Sequence, residues 1–317
     1  MKSIPYSILE QTEWPEDVFI EGGILSRGDT MLIGAESKGG KSTFIAGLIR
    51  QLITGNDFIG FKVTKCLKVL YMQAELRESR IKQRLFPTYS KLSDEHKNNL
   101  HLWSTNGLIL FNEEFKPTIE LELLETRPDV LIIDPMLNFH NFNENDAQQM
   151  GQFFRMLDRL KSDYDLAIIM AHHFRKASQD PKHKSSLLES IRGSSALRGW
   201  AVTTIAMEGR GSSEYRDLEF DLRNSDEPLK RTIRYNPAIK DFDWHDPLTT
   251  VKQWAVEYLE SRNGSAPTTE QFVGKMLESN HVLGNNRTKA FKMKDSLVGT
   301  GVLRLAKVGK TVMVYKS

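Results

Sequence analysis

Short apolar runs alternate with helical segments along the first half of the chain. Runs rich in apolar residues predict buried strands at residues 29–34, 67–75, 100–103, 129–134 and 166–171. Helical spacing or composition predicts helices between them, at residues 41–54, 77–85, 118–125 and 150–160. Because strands and helices that alternate in this way form right-handed βαβ units, the pattern predicts an α/β fold with a mostly parallel sheet flanked by helices.

The pattern changes after residue 200. Residues 201–235 predict several strands joined by polar turns, including strands at 215–222 and 230–235. We expect these strands to extend one edge of the sheet in antiparallel fashion. Residues 236–247 contain repeated Asp and Pro and are predicted to form a connector.

The last part of the chain predicts a separate small domain. Three helices are predicted, at residues 251–260, 268–277 and 287–298, followed by two short strands around Val308. This order of elements is typical of a winged helix. We therefore predict two domains, an α/β domain at residues 1–240 and a winged-helix-like domain at residues 248–317.

Composition excludes some classes of protein and leaves nucleic-acid binding open. The apolar runs are far shorter than the ~20 residues that a membrane-spanning helix needs. Cys66 is the single cysteine, so no disulfide can close within the chain, and the N-terminus does not resemble a secretory signal. We therefore expect a cytoplasmic protein. The net charge is +2, but residues 248–317 hold eleven Lys and Arg against five Asp and Glu.

A phosphate-binding loop is predicted between the first strand and its helix. Residues 35–42 match G-x-x-x-x-G-K-[ST], except that Ala35 stands at the first glycine, directly after Gly34. Backbone N–H groups at such a helix start surround phosphate oxygens, Lys41 reaches the β- and γ-phosphates, and Ser42 ligates Mg²⁺. The alternative, an ordinary Gly/Ser/Lys turn, is disfavoured by the flanking pattern. The predicted cofactors are ATP and Mg²⁺, and the predicted nucleotide-binding residues are Gly34, Ala35, Glu36, Ser37, Lys38, Gly39, Gly40, Lys41, Ser42 and Thr43.

Two acidic residues are candidates for the metal and for the attacking water. Asp134 ends an apolar strand, where a carboxylate can hold Mg²⁺ as a Walker B acid, although an Asp at a strand end also forms turns. Glu75 lies at the C-terminal end of the predicted strand that follows the phosphate-binding loop and its helix, and in a parallel sheet that end lies beside the phosphates. It is our candidate for orienting and deprotonating the water. Its alternative role is to satisfy the N-terminus of the next helix.

Four motifs carry a resemblance to a known family. They are Leu131-Ile-Ile-Asp-Pro135, Phe139-His-Asn-Phe-Asn-Glu-Asn-Asp146, Ala171-His-His-Phe-Arg-Lys176 and Ile191-Arg-Gly-Ser-Ser-Ala-Leu197. Their order resembles that of the plasmid RepA-type hexameric helicases and their AAA_25 relatives, which are RecA/DnaB-like ATPases. The resemblance covers about residues 14–208.

The resemblance implies roles for further residues. His173 would sense the γ-phosphate with His172 in support, although a His pair is more often structural. Arg192 matches the arginine that reaches the nucleotide of a neighbouring subunit, and an arginine finger neutralises charge in the transition state. Its alternative is a salt bridge beside a helix. The resemblance also implies a ring of identical subunits, a hexamer in this family.

Two segments are candidates for contact with DNA. Residues 175–186 are polar and basic, so they predict a mobile loop that either contacts single-stranded DNA in a central channel or is simply solvated. In the C-terminal domain, several basic residues are predicted to share an exposed helix surface while apolar ones pack inward. The basic residues are Arg287, Lys289, Lys292 and Lys294, of which several share that surface, and the residues that can pack inward are Phe291, Leu297 and Val298. This domain is predicted to bind double-stranded DNA, with protein docking as the alternative.

Together these features predict a ring-forming ATPase motor that acts on DNA, a replicative helicase of a mobile element or phage. One alternative is a DNA-binding ATPase that regulates or loads other proteins without unwinding. Another is a non-catalytic DNA-binding module whose nucleotide only locks the oligomer.

Overall fold

The computed structural model describes residues 4–11, 17–37, 39–104, 116–173, 187–190, 195–209, 214–223, 229–244, 247–262, 266–279 and 286–317. The chain divides into two compact units, Met1–Asp243 and Trp244–Ser317. Among the described helices, none is both long enough and apolar enough to cross a lipid bilayer.

The first unit is built from alternating strands and helices. Its strands are β1 (Val18–Ile20), β2 (Leu25–Ser26), β3 (Thr30–Ala35), β4 (Val69–Gln73), β5 (Leu100–Ser104), β6 (Val130–Asp134), β7 (Ala167–His173), β8 (Thr203–Gly209), β9 (Tyr215–Leu222), β10 (Leu229–Asn236) and β11 (Asp241–Asp243). Its helices are α1 (Tyr6–Gln11), α2 (Lys41–Thr54), α3 (Glu78–Tyr89), α4 (Asp94–Asn98), α5 (Lys116–Thr126), α6 (Ala147–Asp163), α7 (Leu187–Ser190) and α8 (Ser195–Trp200), with a short 3₁₀ turn at Met136–Phe139.

Nine of these strands form one sheet in the order β11-β10-β9-β8-β3-β7-β6-β4-β5. The six strands from β8 to β5 run parallel, and β9, β10 and β11 are antiparallel. The predicted α/β fold with a mostly parallel sheet is therefore confirmed. The antiparallel edge begins one strand later than the pattern of residues 201–235 suggested, because β8 lies beside β3 and parallel to it.

Fully buried central strands and amphipathic helices explain why this sequence forms a sheet covered by helices. All residues of β3, β4 and β6 are buried, as expected where helices cover both faces of a sheet. The long helix α6 starts at Asp146, whose carboxylate accepts hydrogen bonds from the N–H groups of Gln148 and Gln149. Its inward face consists of Met150, Phe153, Phe154, Leu157 and Leu160.

The segment predicted as a connector contains the last strand of the sheet. Asp241, in β11, is buried and accepts a 2.8 Å hydrogen bond from the Arg50 guanidinium of α2. Burial raises the pKa of Asp241, and the charge of Arg50 opposes that shift. A strand of three residues is too short to show the alternation of apolar and polar residues that predicts a strand. Asp241 is buried, but in the sequence an Asp is typical of a turn. The connector prediction was therefore wrong at residues 241–243.

The second unit consists of α9 (Pro247–Ser261), α10 (Thr269–Ser279), α11 (Arg287–Gly299), β12 (Leu303–Val308) and β13 (Thr311–Lys316). The two strands form an antiparallel hairpin, and Thr268 makes an isolated bridge to Met313. Aromatic packing joins α9 to α10, since Trp254 stacks on Tyr258 and contacts Phe272.

One expectation about the basic helix was wrong. Lys294 is only 7% exposed, and its ammonium group lies 2.6 Å from the Asp295 carboxylate. Its ammonium also lies 5.8 Å from the centre of the Phe291 ring. Lys294 therefore does not belong to the exposed surface of α11, because its aliphatic stem packs inside the second unit.

Candidate functional site

The predicted phosphate-binding loop joins β3 to α2. Gly40 has a φ of 99°, a left-handed conformation that favours glycine, and it directly precedes the first residue of the helix. The loop is closed by a 3.0 Å hydrogen bond from the Gly39 N–H to the Glu36 carbonyl. Lys38 lies outside the described residues. The remaining predicted residues lie along this turn, with Gly34 and Ala35 ending β3 and Lys41, Ser42 and Thr43 opening α2.

A buried ion pair lies at the centre of the site. The Lys41 ammonium is 2.6 Å from the Asp134 carboxylate, and the two side chains are 4% and 1% exposed. The other Asp134 oxygen accepts a 2.9 Å hydrogen bond from the Tyr71 hydroxyl. Burial and the neighbouring Asp134 charge raise the pKa of Tyr71 well above its usual value. The structure thus brings together the lysine and the carboxylate that the sequence singled out 93 positions apart.

These groups fit Mg²⁺ and a nucleoside triphosphate. A lysine ammonium suits phosphate, and a carboxylate beside a hydroxyl supplies the oxygen ligands that Mg²⁺ prefers. Lys41 would hold the β- and γ-phosphates, while Ser42 and Asp134 would hold the metal. ATP with Mg²⁺, when bound, supplies the terminal phosphoryl group for transfer to water.

The antiparallel edge of the sheet supports the loop from one side. The Arg216 guanidinium of β9 donates a 2.8 Å hydrogen bond to the Gly39 carbonyl. A methyl group placed on Gly40 would lie 3.0 Å from the Phe242 ring of β11. Neither Arg216 nor Phe242 was predicted, because nothing in the sequence links them to Gly39 and Gly40, which lie 177 and 202 positions earlier.

Glu75 and His173 lie near one another at the same edge of the sheet. The His173 Nε2 atom is 3.8 Å from a Glu75 carboxylate oxygen. His173 ends β7 and pairs in register with Ala35, so it lies beside the phosphate-binding loop. Its Nδ1 atom is buried and has no hydrogen-bond partner within the described part of the chain. The predicted water-activating and phosphate-sensing residues are therefore close together.

Two further imidazoles, those of His172 and His140, are buried. Burial lowers the pKa of His172 to about 4, and the positive charges of His173 and Lys41 act in the same direction. Burial likewise lowers the pKa of His140 to about 4, and its ring lies 4.5 Å from the Phe153 ring. Both imidazoles are neutral at pH 7. His172 therefore adds no charge beside the Lys41–Asp134 pair.

A glutamine that was not predicted holds the turn carrying Glu75. Gln73 is 1% exposed, and its side-chain oxygen accepts a 2.6 Å hydrogen bond from the Leu76 N–H. The Ala74 N–H donates to the Asp134 carbonyl, and the Ser104 hydroxyl donates to the Leu76 carbonyl. The turn is thus fixed on both sides of Glu75. The available sequence signal was an amide at a strand end two residues before Glu75.

Other predicted elements cannot be placed. Arg192 lies outside the described residues, and so do residues 175–186, for which a DNA-contacting loop was predicted. Between and after these segments lie α7 and α8, and α8 contributes the buried Leu197.

Comparisons with known proteins agree with this geometry. The family model AAA_25, described as an AAA domain, matches residues 9–179. No curated protein matches the chain. The structure titled ATPase Domain of G40P is 13% identical, with a TM-score of 0.55, covering 76% of this chain and 96% of that one. The structure of a DnaB-like replicative helicase and its interactions with primase is 14% identical, with a TM-score of 0.56, covering 76% of this chain and 66% of that one. At this level of identity, the two structures show a shared RecA-like fold.

The Gln73 contact generates a test of how Glu75 is positioned. Gln73→Met keeps the side-chain volume and removes the acceptor for the Leu76 N–H, so the turn carrying Glu75 loosens. We expect ATP turnover to fall roughly 10- to 100-fold with nucleotide affinity unchanged, since misplacing a reacting group has that order of effect. Steady-state kinetics and binding of a fluorescent nucleotide separate the two quantities.

Gln51→Met is the matched control, because the Gln51 amide oxygen is also buried but, unlike that of Gln73, has no hydrogen-bond partner in the described residues, and Gln51 lies away from Glu75 on α2. In a Glu75→Gln background, the Gln73→Met change should have no further effect on turnover. An additional loss there would show that Gln73 acts independently of Glu75.

Proposed function

The chain belongs to the AAA_25 family of AAA domains, and from this premise we propose that it is a ring-forming, ATP-hydrolysing motor that acts on DNA. It is a P-loop ATPase of RecA-like fold. The observation that carries the proposal is the buried contact between Lys41, at the start of α2, and Asp134, at the end of β6. A lysine and a carboxylate at these two positions are what phosphoryl transfer from a metal-bound triphosphate requires.

Each residue of the site has a role in this proposal. Lys41 neutralises charge on the phosphates, and Ser42 with Asp134 positions the metal. Glu75 orients the attacking water and accepts its proton. His173 detects the terminal phosphate. The proximity of His173 to Glu75 supports a link between phosphate sensing and water activation.

The proposed substrate of the motor is DNA in a central channel of a hexamer. The support is the likeness in fold to a DnaB-like replicative helicase, together with the motif around Arg192. We propose that Arg192 completes the site of a neighbouring subunit as an arginine finger. The biological role we propose is replication of a mobile element or phage in the cytoplasm, where ATP is available.

The second unit is proposed to be a winged helix that binds double-stranded DNA. Three helices followed by a hairpin support this proposal, as does the bridge from Thr268 to the second hairpin strand. Residues 248–317 also carry a surplus of six positive charges, which suits the phosphates of DNA as a partner.

Substitutions in the Lys41–Asp134 ion pair distinguish its contribution to folding stability from its contribution to ATP hydrolysis. Lys41→Met leaves the buried Asp134 carboxylate without its counter-charge, so we expect a loss of about 3–5 kcal/mol of stability as well as of hydrolysis. Lys41→Met combined with Asp134→Asn removes both charges and should recover most of the stability. Thermal unfolding and ATPase assays on both variants test this.

The double variant should remain inactive although it is folded. Hydrolysis by a stable double variant would reject the assignment of these two residues to the nucleotide site.

A strand-displacement assay tests the motor function directly. We expect the chain to hydrolyse ATP faster with single-stranded DNA and to release a labelled strand from a forked duplex, while a mass measurement in solution gives the subunit number. DNA-stimulated hydrolysis without strand release would instead indicate a regulator or loader. Nucleotide binding without turnover would indicate a module whose nucleotide only locks the oligomer.

Mixing two inactive variants tests whether neighbouring subunits share a site. Glu75→Gln and Arg192→Ala should each abolish most of the ATPase activity. In a mixed ring, an Arg192→Ala subunit provides Lys41 and Glu75 while its Glu75→Gln neighbour provides the arginine, so one complete site is restored. Recovery of part of the activity on mixing is the expected result. Absent recovery, with subunit exchange demonstrated by a fluorescence assay, would contradict the shared site.

A further inference from the structure

The C-terminal hairpin carries an unusual set of side chains. Residues 296–317 contain four Lys and Arg and no Asp or Glu. The cations are Arg304, Lys307, Lys310 and Lys316, and all four are exposed. In the described residues, neither Lys307 nor Lys310 forms an ion pair. Lys316 is paired with Glu260 of α9, so the positive charge that has no ion-pair partner in the described residues lies toward the turn of the hairpin, at Lys307 and Lys310.

The hairpin extends beyond the core of its unit. Leu303 and Val314 are buried at its base, whereas the outer residues Leu305, Val308 and Val312 are each about two-fifths exposed or more. Five residue steps separate Leu303 from Val308, a distance of about 17 Å in an extended strand. The turn at Gly309, with a φ of 62°, places Lys310 at the outermost point.

Charged and apolar side chains share one face of this ribbon. Lys307 pairs in register with Val312, and Leu305 lies on the same face because side chains alternate along a strand. A lysine beside exposed apolar side chains suits a partner with anionic groups and less polar surfaces in close succession. Nucleic acid has this composition, with phosphates next to sugars and base edges.

The basic helix α11 offers less positive charge than its sequence suggests. Arg287 forms an ion pair with Glu270 of α10. Lys294 is buried against Asp295, and that acidic residue is itself exposed on the helix. Arg287 and Lys294 of α11 are therefore paired with carboxylates inside the unit.

We propose that the β12–β13 hairpin, rather than helix α11, makes the principal contact of the second unit with DNA, and that the DNA is double-stranded. This rests on the proposed DNA-binding function. A two-stranded ribbon has dimensions that fit the major groove, and lysines on the ribbon contact the phosphates at its edge. Residues 305–313 contain no aromatic side chain on which an unpaired base could stack, so a duplex suits the tip better than a single strand.

Two matched double variants of the full-length chain test the proposal. Lys307→Gln with Lys310→Gln removes two charges from the hairpin, and Lys289→Gln with Lys292→Gln removes two charges from α11. All four lysines are exposed, so both variants should fold, as circular dichroism and thermal unfolding can verify. Because the net charge changes equally, a difference between them reports where the DNA lies and not a general electrostatic effect.

The measurement is the affinity for a labelled duplex over a series of salt concentrations, with a single strand of the same sequence in parallel. We expect the hairpin variant to bind the duplex more weakly. Its plot of log K against log salt concentration should be less steep by about 1.8, since two phosphate contacts are lost. The α11 variant should retain a slope close to that of the unchanged chain.

Other results would overturn the proposal in distinguishable ways. A larger or equal loss in the α11 variant would assign the contact to the helix or to both elements. Unchanged binding in both variants would place the DNA on the first unit. An equal loss for single strand and duplex would reject the duplex as the ligand. No duplex binding by the unchanged chain would reject DNA binding by this unit altogether, while strand displacement by the first unit would still be measured separately.

Discussion

The site depends on one buried electrostatic contact, between Lys41 and Asp134. Removing two charges from water costs several kcal/mol per ion, so neither charge could remain in this position alone. Each compensates the other at 2.6 Å, and the Tyr71 hydroxyl satisfies the second carboxylate oxygen. The start of α2 and the end of β6 are therefore tied together across the sheet. Glu75, in the turn after β4, and His173, at the end of β7, lie on the two sides of β6.

The antiparallel strands contribute more than an extension of the sheet. Arg216 binds the Gly39 carbonyl, Phe242 lies against Gly40, and Asp241 binds Arg50 of the helix that follows. Gly47 permits this last approach, since a methyl group there would lie 2.5 Å from an Asp241 oxygen. The phosphate-binding loop is thus supported from β3 and α2 and also from residues close to the end of the first unit.

The sequence predicted the parts of the site that have local signatures. The spacing of Gly40, Lys41 and Ser42 and the apolar run before Asp134 singled out the two residues that the structure brings together, Lys41 and Asp134, and the alternation of elements predicted the sheet. Tyr71 and Arg216 were missed because their roles arise only when distant strands become neighbours, whereas Gln73 acts locally and its only signal was an amide at a strand end. Lys294 was misassigned for a related reason: helical spacing does not show which long side chain packs inward. Arg192 remains a prediction.

The ion pair also has a thermodynamic consequence for ligand binding. Lys41 can turn to a phosphate only if another cation compensates Asp134, and Asp134 can ligate a metal only if another anion compensates Lys41. Phosphate alone or metal alone would each leave one buried charge without a partner. The two ligands should therefore bind with positive coupling, each raising the affinity for the other by the same factor. If the proposed function holds, a preference for a metal-bound nucleotide would be set in part before either ligand arrives, by the contact between Lys41 and Asp134 within the chain.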